Sequence, residues 1–317
     1  MILPPFHLQN LSSQIFLAPM EGVVDPVVRA LWTSQMGGID FCVSEFVRVT
    51  SQIVPDHVFY KIVPELQTGG RTSSGTPVIV QLLGGQPEPM ALNAVRAVEL
   101  GALAIDINFG CPAKTVNNHD GGAALLKNPR RVFEVTSAVR KATPKTHSVS
   151  AKVRLGFSDK SQFLEIAHAA EEAGAAWLTV HARTRDEGYL PPAHWEYIAR
   201  IREALQIPVI ANGDIWSIED YHRCREVSGC EHVMMGRGLI ARPDLARAIK
   251  NSTPHISWSE QLNFVRQFAN ESSLYRGESY GASRVKQILK SISRHEPEAQ
   301  SLFNQVKLFH TVSEMKI

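Results

Sequence analysis

The sequence predicts a closed (β/α)8 TIM barrel followed by a small all-helical C-terminal domain. Three observations predict it. Short apolar runs alternate with amphipathic stretches from Gln14 to Lys250. Nearly every run ends in a polar or glycine residue, as barrel strands do where they feed functional loops. After Lys250 the alternation stops and the pattern is helical to the end.

The elements follow in order. Ile15–Ala18 reads as the first strand, and Asp25-Pro26 opens the helix behind it, because Pro suits the first helical turn. Ile39–Val43, Val78–Leu83 and Ala104–Asn108 are the next strands, and Val149–Leu155, Trp177–His181, Pro208–Ala211 and His232–Met235 complete the set. Helical patterns such as Met90–Leu100 and Phe163–Ala173 separate them, and Gly101, Gly174 and Gly229 close helices. Eight such units over about 240 residues suit a barrel. A doubly wound open sheet is the rival; the repeat count and the lack of G-x-G-x-x-G after the first strand disfavour it. Asn251–His255 is a polar linker, which divides the chain into a barrel domain 1–250 and a helical domain 251–317.

Bulk composition narrows the class. With 317 residues, 44% hydrophobic and 20% charged, the chain can bury a large globular core. Lys and Arg number 33 against 31 Asp and Glu, so any nucleic-acid surface must come from local clustering. Cys42, Cys111, Cys224 and Cys230 have neither metal-like C-x-x-C spacing nor the density of a disulfide scaffold, so no metal is expected. No basic leader with an apolar core and no apolar run of about 18 residues is present, which predicts a cytoplasmic protein away from the membrane. No obligate protein partner is implied, and a monomer is expected.

Candidate chemistry sits at the strand ends. Asp106-Ile-Asn-Phe-Gly-Cys-Pro-Ala-Lys114 runs from a strand into a turn marked by Gly110 and Pro112, which places Cys111 for chemistry and Asn108 beside it. A small buried hydrophobe is the alternative for Cys111 and the expected role of the other three cysteines. Gly213, Gly236 and Gly238 allow backbone N–H groups to approach an anion ahead of helix N-termini, and Arg237 adds a fork matching phosphate. A phosphorylated ligand is therefore expected. Lys152, inward on a central strand, could contact an anionic ring atom or form a Schiff base. His181 could bond a cofactor or a substrate carbonyl.

These motifs, Ala18-Pro-Met-Glu-Gly22, Asn108-x-Gly-Cys-Pro-x-Lys-x-Val116, Lys152-Val-Arg154, His181-x-Arg-Thr184, Asn212-Gly-Asp214 and Gly236-Arg-Gly238, resemble in order and spacing the tRNA-dihydrouridine synthases. The likeness runs from about Leu17 to the end. Ser44-Glu-Phe-Val-Arg48, Pro64-Glu-Leu-Gln67, Gln81-Leu-Leu-Gly84 and Arg284-x-Lys-Gln287 are most similar to the bacterial C-type branch. The resemblance implies an FMN-containing barrel whose flavin is reduced by NADPH, acting on a tRNA D-loop uridine, in that branch the sixteenth. It implies that Pro19, Met20 and Glu21 border the flavin, that Gln81 and Lys152 bind its rings with His181 near, and that Asn212, Gly213, Asp214, Gly236 and Arg237 hold its phosphate. Cys111 would be the proton donor and Asn108 would bond the uracil edge.

An RNA substrate calls for a basic surface. In Arg284–Arg294, Val285, Ile288, Leu289 and Ile292 share one helical face, while Lys286, Lys290 and Arg294 recur on the opposite one, joined by Arg284. Arg48, Arg154 and Lys307 match positions that face tRNA in the C-type branch. Two further function classes stay open: a flavin-free lyase with Lys152 as Schiff-base nucleophile, and a non-catalytic tRNA-binding protein. The stretch before the first strand has no reading.

Overall fold

A computed structural model describes residue 6 and residues 8–317. Among the described residues there are nine strands: β1 Ile15–Leu17, β2 Phe41–Val43, β3 Val47–Arg48, β4 Val78–Leu83, β5 Ala104–Asn108, β6 Ser148–Arg154, β7 Leu178–His181, β8 Val209–Asn212 and β9 His232–Met235. All pair in parallel, and the β1–β9 and β2–β4 pairings close eight of them into a ring. The open-sheet rival is thereby excluded. β3 is the strand the sequence reading lacked: two residues that pair Val47 with Leu82 and Arg48 with Leu83 on the barrel's rim.

The predicted caps do what their chemistry suggests. Asp25 accepts from the Val28 N–H at 2.9 Å and starts the helix Pro26–Leu31. Gly229 ends the helix Ile218–Ser228 with a left-handed φ of +64°.

Alternation along the strands stacks the barrel interior in layers. Phe16, Phe41, Ile79, Ala104, Trp177 and Ile210 form an apolar plug. Phe16 and Phe41 stack with ring centroids 4.8 Å apart. The stretch before β1 lies partly outside the described residues. Its described part closes the plug, with Leu8 buried on a short 3-10 turn and Phe6 edge-on to Phe41. One strand repeat further on, Gln81, Asp106, Ser150 and Thr179 form a buried polar layer. Another repeat brings Asn108, Lys152, His181 and Asn212 to the C-terminal mouth.

From Ser257, whose side chain forms a capping box with Glu260, four helices follow: Trp258–Arg276, Glu278–Ile292, Pro297–Val306 and Val312–Met315. Their apolar faces continue the core that surrounds the barrel. Trp32 is the seam. Its ring meets Phe264 and Phe268 edge-on, and its indole N–H donates to the Leu239 carbonyl at 2.7 Å. Trp32→Ala removes both packing and donor and should lower stability by about 3–5 kcal/mol in denaturant titrations; a loss under about 1 kcal/mol would contradict this seam.

Candidate active site

A cavity of about 500 Å³ opens at the C-terminal mouth of the barrel. Pro19, Met20, Glu21, Gln81, Asn108, Cys111, Lys152, Arg154, His181, Asn212, Gly213, Asp214, Gly236 and Arg237, all predicted from sequence, line it. They come from seven strand ends, so only barrel closure brings them together.

Cys111 is 9% exposed, set among Leu83, Val116, Phe46 and Ala113. That apolar wall pushes its thiol pKa up, and nearby Glu21 adds to the rise, while the Ala113 N–H, Arg154 and Arg48 oppose it. The thiol therefore stays protonated at neutral pH. Gly110 does not fix this turn as expected: its φ is not left-handed, and an added Cβ would make only ordinary contacts. The glycine that matters is Gly122, with φ of +57°, where a Cβ would lie 2.9 Å from that of Cys111. Cys42, Cys224 and Cys230 are buried, and burial pushes their thiols up to about 12, 12 and 11. They match the inert role expected of them.

Asn108 and Gln81 belong to one hydrogen-bonded chain. Asn108 Nδ2 donates to Gln81 Oε1 at 2.8 Å, and Gln81 Nε2 donates to Asp106 Oδ2 at 2.7 Å. Lys152 Nζ donates to Asn212 Oδ1 at 3.2 Å, and Asn212 Nδ2 donates to the Met234 carbonyl at 2.8 Å. Burial lowers the Lys152 amine to about 8, helped by the Arg154 charge and opposed by Asp106. His181 is buried and held well below its ordinary pKa, first by desolvation and then by Arg154, Lys152, Arg183 and Arg237. It is thus a neutral imidazole, and its Nδ1 has no partner in the protein. An unpaired buried nitrogen among four cations is what an anionic, hydrogen-bonding ligand would satisfy.

Arg237 and the open backbone of Gly213 and Gly236 face the cavity. Gly213 has φ of +133°, and a Cβ there would crowd that of Ala182 at 3.3 Å. The helix argument is corrected. Gly236 precedes only the five residues of Arg237–Ala241, and the helix after Gly213 begins at Ile218, with its first turn already capped by Ser217. Asp214 is also corrected as a phosphate contact, since its carboxylate carries the same sign. It accepts from Arg237 at 2.9 Å and from buried Arg183, and so orients the guanidinium from a left-handed φ of +48°.

Two of the residues expected to face tRNA are buried. Arg154 is 3% exposed, and its guanidinium donates to the carbonyls of Gly110, Thr184 and Gly188 at 2.8–3.0 Å. It is a cavity wall. Arg284 is 4% exposed and does not join the basic stripe. It donates to the Gly22 carbonyl at 2.7 Å and to that of Val23, and pairs with buried Asp25 at 3.2 Å; Tyr280 also donates to Asp25, at 2.6 Å. The helix Glu278–Ile292 thereby holds the cavity loop after β1. Arg48, Lys290, Arg294 and Lys307 are exposed, and Lys286 is half-buried with Nζ on the Phe309 carbonyl.

Sequence reading missed Tyr189 and Trp216. Tyr189 stands at the mouth over Arg154 and Arg237, with ring centroids 5.2 and 4.8 Å from the two guanidinium carbons. Trp216 lies between Arg237 and Arg294 at 5.0 and 4.0 Å, tying the helical region to the cavity rim. Both sit on loops whose course no periodicity records. Among the described residues no cluster of metal-ligating side chains occurs, and no helix is long and apolar enough to cross a membrane.

The closed parallel barrel and its cationic mouth define a TIM-barrel protein with a cavity at the C-terminal face. The dihydrouridine synthase family model matches residues 16–316, and the chain belongs to that family. It is 48% identical over 302 residues to the tRNA-dihydrouridine(16) synthase of Shewanella oneidensis, covering 95% of this chain and 96% of that one. It is likewise 48% identical over 300 residues to the tRNA-dihydrouridine(16) synthase of Pseudomonas putida, covering 93% and 92%. Histamine dehydrogenase from Rhizobium sp. 4-9 shares the fold, with a TM-score of 0.56 at 15% identity over 75% of this chain and 46% of that one.

The Arg284 geometry has a measurable consequence. Arg284→Ala leaves Asp25 buried without its cation and should cost about 3–5 kcal/mol, whereas Lys286→Ala, which removes a half-buried side chain and one hydrogen bond to a carbonyl, should cost about 1 kcal/mol or less. Equal effects in denaturant titrations would contradict the separation of the two residues.

Proposed function

We propose that this protein reduces a tRNA D-loop uridine, that at position 16, to 5,6-dihydrouridine, with FMN bound in the cavity and NADPH as its reductant. The observation that carries the reading is the Cys111 thiol, held by burial above its ordinary pKa, lining the same cationic cavity as the Asn108 amide. Family membership and the names of the relatives support it.

The residues present fit a flavin mononucleotide. The cavity, at about 500 Å³, lies within the range of roughly 300–1,000 Å³ usual for small-molecule sites. Lys152 and the unpartnered His181 Nδ1 would meet polar ring atoms, and Arg237 with the backbone of Gly213 and Gly236 would meet the phosphate. Pro19 and Met20 would border the rings. When bound and reduced by NADPH, the flavin supplies the hydride that adds to uracil C6.

The protein supplies the rest. Uracil's C5–C6 double bond is conjugated to a carbonyl, so addition at C6 leaves negative charge that protonation at C5 removes. Cys111 breaks its S–H bond and gives that proton, and Arg154 and Arg48 lie close enough to stabilise the thiolate left behind. A raised thiol pKa keeps the proton on sulfur until it is transferred and leaves little nucleophilic thiolate. Asn108 holds the base edge, and Tyr189 offers a ring at the mouth. The uridine must leave its stack to enter. Arg48, Lys286, Lys290 and Lys307 would meet phosphates outside, a contact that weakens with salt.

The amine of Lys152, near 8, would also serve a Schiff base. Borohydride should trap no carbonyl substrate on it. The decisive experiment measures dihydrouridine in tRNA from cells lacking this protein and complemented with wild type or Cys111→Ala. Wild type should restore position 16, and the purified variant should be slowed by roughly 10²–10⁴-fold with its flavin spectrum retained. Full restoration by the variant, or wild-type protein that binds no FMN, would overturn the proposal.

A further inference from the structure

Asp106 does not itself line the cavity, yet it is 2% exposed in the middle of the barrel and in contact with a residue that does. Its Oδ1 accepts from the Ser150 hydroxyl at 2.6 Å and its Oδ2 from Gln81 Nε2 at 2.7 Å. Gln81, Asp106 and Ser150 are register partners on β4, β5 and β6, so strand pairing fixes this contact. From Gln81 the chain continues through Oε1 to Asn108 Nδ2 at 2.8 Å, and from Asn108 Oδ1 to the Gly110 N–H at 2.9 Å, one residue before the thiol.

The two ends of this chain are not interchangeable. A backbone N–H only donates, and a carboxylate only accepts. The two amides between them therefore have no freedom: rotating either by 180° would set donor against donor or acceptor against acceptor at both of its contacts. Asn108 keeps one Nδ2–H and one Oδ1 lone pair for the cavity, in a fixed order.

We infer that Asp106, acting through Gln81, fixes the order of donor and acceptor that Asn108 presents, and so makes the site accept uracil and reject cytosine. The inference rests on the proposed uridine reduction. Uracil offers a carbonyl acceptor beside the N3–H donor. Cytosine offers the reverse, an amino donor beside the N3 acceptor. A freely rotating amide would pair with both bases. An amide held at both ends pairs with one, and with C5 kept at the Cys111 thiol the base cannot turn over to compensate. Asp106 is a positioning residue, since it touches neither base nor flavin.

The test uses FMN-loaded enzyme without NADPH, so that no turnover occurs, and measures dissociation constants for two tRNAs that differ only in uridine or cytidine at the reduced position. Wild type should prefer uridine by roughly 10-fold or more, the discrimination one two-bond amide–base contact provides. Asp106→Ala admits water, which donates as readily as it accepts, and leaves the Gly110 N–H as the one fixed end of the chain, so the ratio should fall several-fold. Asp106→Asn, whose Oδ1 can still accept from Gln81 while its Nδ2 donates to Ser150, should keep most of the preference. If Asp106→Ala does not retain flavin, Asp106→Ser is measured in its place, because a hydroxyl also serves either way. A wild-type ratio near one, an unchanged ratio in the Ala or Ser variant, or equal loss in the Asn variant would overturn the inference. Wild-type turnover of the uridine tRNA, measured alongside, separates the two claims: its absence defeats the reductase reading, and its presence with an unchanged ratio defeats only the role of Asp106.

Discussion

A polar side chain that points into a closed barrel cannot reach bulk water, so it must be satisfied by another inward side chain or by whatever the barrel binds. This constraint organises the molecule. Below the cavity, the aromatic and aliphatic plug has no polar groups to satisfy. Above it, Asp106, Ser150 and Gln81 satisfy one another across three paired strands. At the mouth the satisfaction is incomplete: His181 Nδ1 is left open, and Lys152 has a single protein acceptor, Asn212. Apart from the Thr179 hydroxyl, which has no protein partner, the interior grades from self-sufficient to ligand-requiring over two strand repeats.

The same grading sets the electrostatics. Burial first, and then the charges of Arg154, Lys152, Arg183 and Arg237, keep the His181 imidazole neutral, while Asp106 and Asp214 balance part of that charge from behind. On the other side of the mouth, Cys111 is walled by apolar groups and keeps its proton. One cavity therefore holds an anion-seeking floor and a proton-holding rim. Adding a hydride and a proton to opposite ends of one double bond calls for that combination. The C-terminal helices are not an independent appendage. Arg284 reaches from Glu278–Ile292 to the backbone of the loop that carries Met20 and Glu21, and Arg294 lies on Trp216 at the cavity rim.

The parts legible in the sequence were those with a local physical signature. Parallel strands buried on both faces read as continuous apolar runs, so all eight barrel strands were visible. The two-residue β3 was too short to leave a pattern. Alternation along Ala104–Asp106–Asn108 is a signal that could have placed Asp106 inward, but its partners on neighbouring strands depend on register. Arg284 was misplaced for a readable reason: it lies four residues before Ile288, on the buried face, and a charged residue there signals a buried partner. That the partner is Asp25 could come only from the fold. Gly122, Tyr189 and Trp216 reach the site through irregular loops, whose course is set by tertiary contacts and carries no period.

The central claim is that Cys111 works as a protonated acid. Titration of its thiolate ultraviolet absorbance in the flavin-free protein, as the difference between wild type and Cys111→Ala, tests it most directly. Half-titration above the ordinary thiol value of about 8.5 is expected; a thiolate already formed below neutral pH would contradict the account.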